Sequence, residues 1–227
     1  RHFLAHARFV VLLALLLGLG GNTSQAAETC WTTGGAQFFN AMHYCVSSVL
    51  PPQGVWTYEP RNLSRPDDGG RSWCEGVPGH GIGETITLRI EGGSAFRRLL
   101  IANGYGKSRE SYFANARVKE IEITTDTGIR TRAQVVDQNP LLPIYLPFPA
   151  EHDWIRIKIL DVYPGTKYQD TCIDFLTPDF EYEETLLQES QQMDEGGQAP
   201  NGQLPENPDG AQGAECVTTG EIIEGTL

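Results

Sequence analysis

The stretch Ile86 to Glu91, ITLRIE, places its apolar residues at every second position: Ile86, Leu88 and Ile90 alternate with Thr87, Arg89 and Glu91. Successive side chains of a β-strand point to opposite faces, so the pattern predicts a strand with one buried and one wet face. Two further runs repeat it. Ile121 and Ile123 alternate with Glu120, Glu122 and Thr124, and Ile155, Ile157 and Ile159 alternate with Arg156 and Lys158. Around them, Phe96 to Ala102, Ile129 to Val136, Leu141 to Leu146 and Thr171 to Leu176 read as strands, with Asp126, Gly128, Asn139 and Pro140 among the turn residues between. Seven or eight short strands spaced by turns predict an all-β sandwich or barrel, and about 150 residues suffice for one core.

The two ends of the chain read differently. Arg1, His6 and Arg8 precede the apolar run Phe9 to Leu19, and a polar turn then leads to Ala26. This is the three-part order of a secretory signal, with an apolar run shorter than the ~18 residues of a membrane span. Residues 1–26 are therefore expected to be a signal peptide, and the mature protein to be secreted, extracellular or periplasmic. Residues 27–50 are read as a disulfide-stapled lead-in and 51–178 as the sandwich. Residues 179–227, rich in Gln, Glu, Gly, Pro and Asn, are expected to form a disordered acidic tail, because so little aliphatic surface cannot offset the entropy of ordering.

That tail dominates the formal charge of -12. From Asp179 onward there are 12 acids and no Lys or Arg, which leaves 17 acids against 17 bases in the rest. A balanced domain without a basic stripe lacks the footprint of a nucleic-acid binder, and membrane insertion is not expected either. Export permits disulfides. Of the five cysteines, Cys216 stands alone in the tail. Cys30, Cys45, Cys74 and Cys172 allow three pairings that spacing does not decide, and the favoured arrangement is Cys30 with Cys45 and Cys74 with Cys172.

Catalytic signatures are weak. The Gly-rich segment WCEGVPGHGIGE, Trp73 to Glu84, precedes a strand instead of opening a helix and has no Lys, so it reads as a tight loop with glycines at positive φ and not as a phosphate cradle. His43, His80 and His152 lie beside no Ser or Cys in a nucleophile pattern, and no Cys or His spacing suggests zinc. Glu75 and Glu84 could form an acid and base pair for glycoside hydrolysis, but strands carry Glu on wet faces routinely. Binding groups are better represented. NGYGKSRESYFANARVK, Asn103 to Lys119, is too long for a hairpin turn, and Asn103, Tyr105, Lys107, Tyr112, Asn115 and Arg117 offer the ring faces and fixed donors that a sugar requires. VYPGTKYQDTC, Val162 to Cys172, repeats that chemistry with Tyr163, Lys167, Tyr168 and Asp170.

The segments WCEGVPGHGIGE, NGYGKSRESYFANARVKEI and ILDVYPGTKYQDTCI, in that order, resemble the discoidin-like NAD glycohydrolase translocation domain of the factor V/VIII type C kind, over about Val46 to Leu176. The resemblance implies a galactose-binding-like jelly-roll β-sandwich that binds glycans, with motif residues at Trp73, Glu75, Gly76, Asn103, Tyr105, Lys107, Asn115, Arg117, Tyr163, Lys167 and Asp170. Where the family's domain occurs in a toxin it accompanies a separate catalytic domain, to which no segment of this sequence corresponds. Related sandwiches hold a structural calcium in the loop before the tryptophan strand; Asn62, Asp67 and Asp68 are oxygen ligands of suitable type, and an Asp-rich turn accounts for them equally well. No other cofactor is expected. The resulting expectation is a secreted, non-enzymatic module whose partner is a glycan or glycoprotein, with a structural or adhesion protein binding another protein as the alternative.

Overall fold

The computed structural model describes residues 27–65, 70–138 and 140–195. The expected signal peptide, Cys216 and the tail beyond residue 195 lie outside the described residues. The strands are β1 (Thr29–Thr33), β2 (Ala41–Val46), β3 (Trp73–Cys74), β4 (Thr85–Glu91), β5 (Phe96–Asn103), β6 (Ala116–Thr125), β7 (Arg130–Gln134), β8 (Leu142–Ala150), β9 (Trp154–Tyr163) and β10 (Thr171–Pro178). Two helices, α1 (Arg109–Ala114) and α2 (Phe180–Glu195), and a 3-10 turn at Pro60–Ser64 complete the structure.

The strands form two layers. One runs β1-β2-β4-β9-β6, and the other joins β3 and β5 to β10, with β8 outside β5. β9 occupies one edge of β6 along most of its length; the opposite edge carries β10 at Ala116 and Arg117 and β7 from Glu120 to Thr124. The only parallel pairing among the described residues, Thr171 with Ala116 and Cys172 with Arg117, therefore joins the layers over two residues. Away from this seam the layers face each other as a jelly-roll β-sandwich. Ile86, Leu88 and Ile90 of β4, Ile121 and Ile123 of β6 and Ile155, Ile157 and Ile159 of β9 enter one core with Leu99 and Ile101 of β5, Ile144 and Leu146 of β8 and Leu176 of β10. The alternation in the sequence thus marks the buried face of the larger layer. Thr87, on its expected wet face, is nevertheless buried, because Arg156 Nε donates to its hydroxyl at 3.1 Å and Glu28 lies over it.

Both favoured disulfides are present, and each joins residues directly opposite in register. Cys30–Cys45 ties β1 to β2, while Cys74–Cys172 closes a sequence separation of 98 and by loop entropy contributes roughly 5 kcal/mol.

Two stretches carry elements that the sequence reading did not assign. The stapled lead-in is part of the sheet: β2 pairs with β4 from Ala41–Glu91 to Val46–Ile86, and Met42, Tyr44 and Val46 belong to the core. Gly34, Gly35 and Asn40 interrupt its strand signal, but tertiary pairing overrides local propensity. Within the stretch read as the acidic tail, Phe180–Glu195 is helical. Asp179 receives the Tyr182 N–H at 3.3 Å and the Arg98 Nε at 2.7 Å, Phe180 packs on Phe38, Phe39 and Phe96, and Glu183 pairs with Arg97 at 2.9 Å. These anchors, invisible to a composition window, hold the first turn, whereas Leu187 and Met193 are 62% and 75% exposed. No helix among the described residues is long and apolar enough to cross a membrane.

Phe180→Ala is expected to lower stability by about 3 kcal/mol and Leu187→Ala by less than about 0.5 kcal/mol, as measured by urea denaturation. A second prediction concerns His152, which is buried at the end of the sandwich opposite the seam. Its Nδ1 lies 3.1 Å from Thr127 Oγ1, its Nε2 has no hydrogen-bond partner, and Phe96 meets the ring edge-on. Burial holds its pKa below the ordinary value, although Asp126 pulls it the other way. The unfolded chain therefore binds the proton more readily, so His152 should cost stability as pH falls below ~6.5. Glu75, Asp170 and Asp174, pushed up by burial, act in the opposite sense at lower pH. The difference in melting temperature between wild type and His152→Asn, followed from pH 7.5 to 5.5, should consequently shift against wild type on acidification; a constant difference refutes the assignment.

Candidate functional site

Register fixes which connections share an end of the sandwich. Val46 lies opposite Ile86, Cys172 opposite Cys74, Ile173 opposite Asn103, Arg117 opposite Tyr163, Glu120 opposite Gln134 and Ile101 opposite Leu142. The connections that follow β2, β3, β5, β7 and β9 thus emerge together, at the end where the seam joins the layers. Both polar, aromatic segments singled out in the sequence are among them.

Most of the nominated ligand groups build that end and do not face outward from it. Trp73 is fully buried, its indole N–H donating to Ser48 O at 3.0 Å. Glu75 is fully buried too, with Oε1 accepting from Thr171 N at 3.0 Å and Oε2 from Val77 N at 2.8 Å. Asn103 bridges the layers: its Nδ2 donates to Val118 O at 2.7 Å and its Oδ1 accepts from Val118 N at 3.0 Å. Arg117, 5% exposed, forms a fork with Asp137 at 3.0 and 2.8 Å and donates through Nη1 to Asn115 O and Pro164 O. Tyr112 donates its hydroxyl to Asp137 Oδ1 at 2.9 Å, and Asn115 Nδ2 donates to Ser111 O, closing α1. Tyr105 is buried edge-on to Tyr58, and desolvation pushes its hydroxyl up to about 12. The expectation that Tyr105 and Tyr112 offer ring faces is therefore corrected, and Trp73, nominated as ligand-binding, lies inside the fold. α1 and Gly104, at φ +77°, fold the long connection back onto the sandwich; a Cβ on Gly104 would lie 2.5 Å from the Tyr112 ring.

The remaining nominated residues are more accessible. Lys107 is exposed, with Nζ 3.6 Å from the centroid of the Trp56 ring. Lys167 is exposed above Tyr168, whereas Tyr163 and Asp170 are half-buried and burial raises the Asp170 pKa. Asn62 is fully buried; its Nδ2 donates to Thr57 O and Ser72 O, leaving Oδ1 without a hydrogen-bond partner. That oxygen has the chemistry of a calcium ligand, while Asp67 and Asp68 lie outside the described residues. Gly79, Gly81 and Gly83 adopt positive φ, as expected of the Gly-rich loop. Elsewhere among the described residues the cluster of metal-type donors is Glu28, Cys30 and Cys45, whose sulfurs are committed to a disulfide.

The loop end also presents a depression whose lining, Tyr112 apart, was not nominated from the sequence. An open depression of about 420 Å³ lies beside α1, lined by Ser108, Arg109, Tyr112, Phe113, Asp137 and Gln138. Phe113 is 39% exposed and presents a ring at its rim. Asp137 is held below the usual carboxylate range by Arg117 and Tyr112, and Tyr112 is itself pushed up by burial and by Asp137. The floor is thus a charge-compensated cluster and the rim is polar and aromatic. Phe113 sits next to Tyr112 in one helical turn, and only the phase of α1 separates the exposed ring from the buried one.

Residues 39–177 match the family described as the NAD glycohydrolase translocation F5/8 type C domain. No curated protein sequence matches the chain. Among solved structures, the mycobacterial arabinofuranosyltransferase AftD is similar at 17% identity and TM-score 0.45, over 66% of this chain and 11% of that one. The family 32 carbohydrate-binding module of C. perfringens NanJ, solved with galactose, is similar at 14% identity and TM-score 0.43, over 60% of this chain and 92% of that one. The corresponding module of Streptococcus pneumoniae EndoD stands at 11% and 0.43, over 60% and 94%. These likenesses concern the fold.

Asn103→Ala, which strips Val118 of partners for both its N–H and its C=O in a buried seam, is expected to cost on the order of 2–3 kcal/mol in urea denaturation.

Proposed function

The chain belongs to the NAD glycohydrolase translocation F5/8 type C domain family, and from that premise we propose that it is an exported, non-enzymatic module that binds glycans at the loop end of its sandwich. The observation that carries this reading is the depression beside α1. Its volume of about 420 Å³ falls within the range of small-ligand sites, and a ring face at the rim with fixed polar groups around it suits a sugar's apolar face and hydroxyls. The same depression is poorly equipped for turnover. Asp137 is locked by Arg117 and Tyr112 with its pKa depressed, so it is no proton donor near neutral pH, and Ser108 Oγ meets Ser111 Oγ and not a base. Glu75, the acid considered for hydrolysis, has both oxygens engaged by backbone N–H groups away from solvent. Two disulfides fit an oxidising compartment, extracellular or periplasmic.

Calcium enters this proposal as a structural ion near Asn62, whose buried, unpartnered Oδ1 suits it. The test combines both points: a glycan array probed with residues 27–195, in calcium and in EDTA, followed by chemical-shift mapping of the best sugar. Binding that perturbs Phe113 and Gln138 and is weakened at least about fivefold by Phe113→Ala is the expected result. The absence of binding in both conditions overturns it.

The alternative, a structural or adhesion protein that grips another protein, has one observation in its favour. Val55, Ile82 and Leu141 project from connections at this same end at 79%, 56% and 49% exposure, and aliphatic side chains suit a protein partner better than a sugar. Capture of a protein that free sugar does not displace would select this reading.

A further inference from the structure

We infer that the depression beside α1 takes a carboxylate-bearing sugar, with the Arg109 guanidinium as the group that recognises the acid; this deepens, and rests on, the glycan-binding reading above. Several arginines elsewhere on the sandwich are used internally: Arg89 pairs with Glu28, Arg97 with Glu183, Arg98 with Asp179 and Arg117 with Asp137. Arg109 differs. Among the described residues it has no ion-pair partner, and its contact is with the Phe113 ring, 5.6 Å from the guanidinium carbon to the centroid.

The surroundings decide the charge that this guanidinium would meet. The carboxylate lining the depression, Asp137, is compensated by the two-pronged contact from Arg117 and a third hydrogen bond from Tyr112, so it leaves Arg109 unquenched. Glu110, next along α1, is exposed, and Lys167 has its pKa raised chiefly by the hydrogen bond to Tyr168 and only to a smaller extent by Glu110. Arg109 is therefore a cation with no ion-pair partner among the described residues, beside an exposed aromatic ring. A guanidinium presents several N–H donors in a plane and matches a carboxylate with two parallel hydrogen bonds, which an ammonium does not. With the pyranose against Phe113, its acid group on Arg109 and its hydroxyls toward Gln138 and Ser108, each group at the rim has a role. Uronic acids and sialic acids share this chemistry.

Residues 27–195 would be titrated calorimetrically with digalacturonate, with sialyllactose and with lactose, at low and at high salt. Wild type should bind at least one of the acidic sugars about tenfold or more tightly than lactose, the effect of one charge-assisted contact, with the ratio shrinking at high salt. Arg109→Gln should collapse the ratio toward one and Arg109→Lys should restore part of it. Arg109 is exposed at the start of α1, and an unchanged circular dichroism spectrum and melting temperature would establish that the variants fold. Whichever acid binds identifies the source of the carboxylate. Equal affinity for acidic and neutral sugars, or a preference that survives Arg109→Gln, overturns the inference and leaves glycan binding standing. Failure of all three sugars and of the array overturns both.

Discussion

Between Thr171–Cys172 and Ala116–Arg117 the two layers of the sandwich are hydrogen-bonded to each other for only two residues, and the loop end is built around that short seam. A two-residue parallel pairing cannot hold two sheets by itself. The amide of Asn103 extends it by engaging both backbone groups of Val118, the carboxylate of Glu75 takes the Thr171 N–H, and Cys74–Cys172 ties β3 to β10 beside it. Each of these groups is polar or crosslinked because the backbone there has few partners in a regular ladder, and a buried N–H or C=O without one is costly. The seam also sets the geometry of what lies above it. Arg117 is the second residue of β6; from that fixed position it clamps Asp137 and spans to Pro164, so the connections after β7 and β9 are held relative to α1.

This explains why the sequence conveyed the fold more fully than the site. β4, β6 and β9 are half-buried strands, and burial on one face prints a period of two that needs no other information. The segments around Trp73, Asn103 and Tyr163 stand out equally well as polar and aromatic, but that chemistry is ambiguous. A motif that satisfies a buried backbone uses the same Asn, Glu, Arg and Tyr that would satisfy a sugar. Trp73, Glu75, Asn103 and Arg117 proved to serve the seam, while Arg109, Phe113 and Gln138 at the depression are ordinary surface types. Nothing in spacing alone says that α1 will form, and without α1 the phase that buries Tyr112 and exposes Phe113 is undefined. The elements that the sequence did not announce have the same origin: β2 is a strand because β4 pairs with it and β1 because β2 does, and the start of α2 is ordered because Phe180 reaches a cluster of distant phenylalanines.

The separation of charge along the chain bears on the loop end as well. The acid-rich segment begins at Asp179, after β10 has run from the seam to the opposite end of the sandwich. Eight extended residues span roughly 25 Å, several times the ~8 Å over which physiological salt screens exposed charges. At its start, moreover, Asp179 and Glu183 are compensated by Arg98 and Arg97. The formal charge of -12 belongs to the whole chain and is not the charge set by the described residues around the depression. Locally, a compensated floor and an uncompensated Arg109 define the field, and a chain that is acidic overall can present a site that favours an anion.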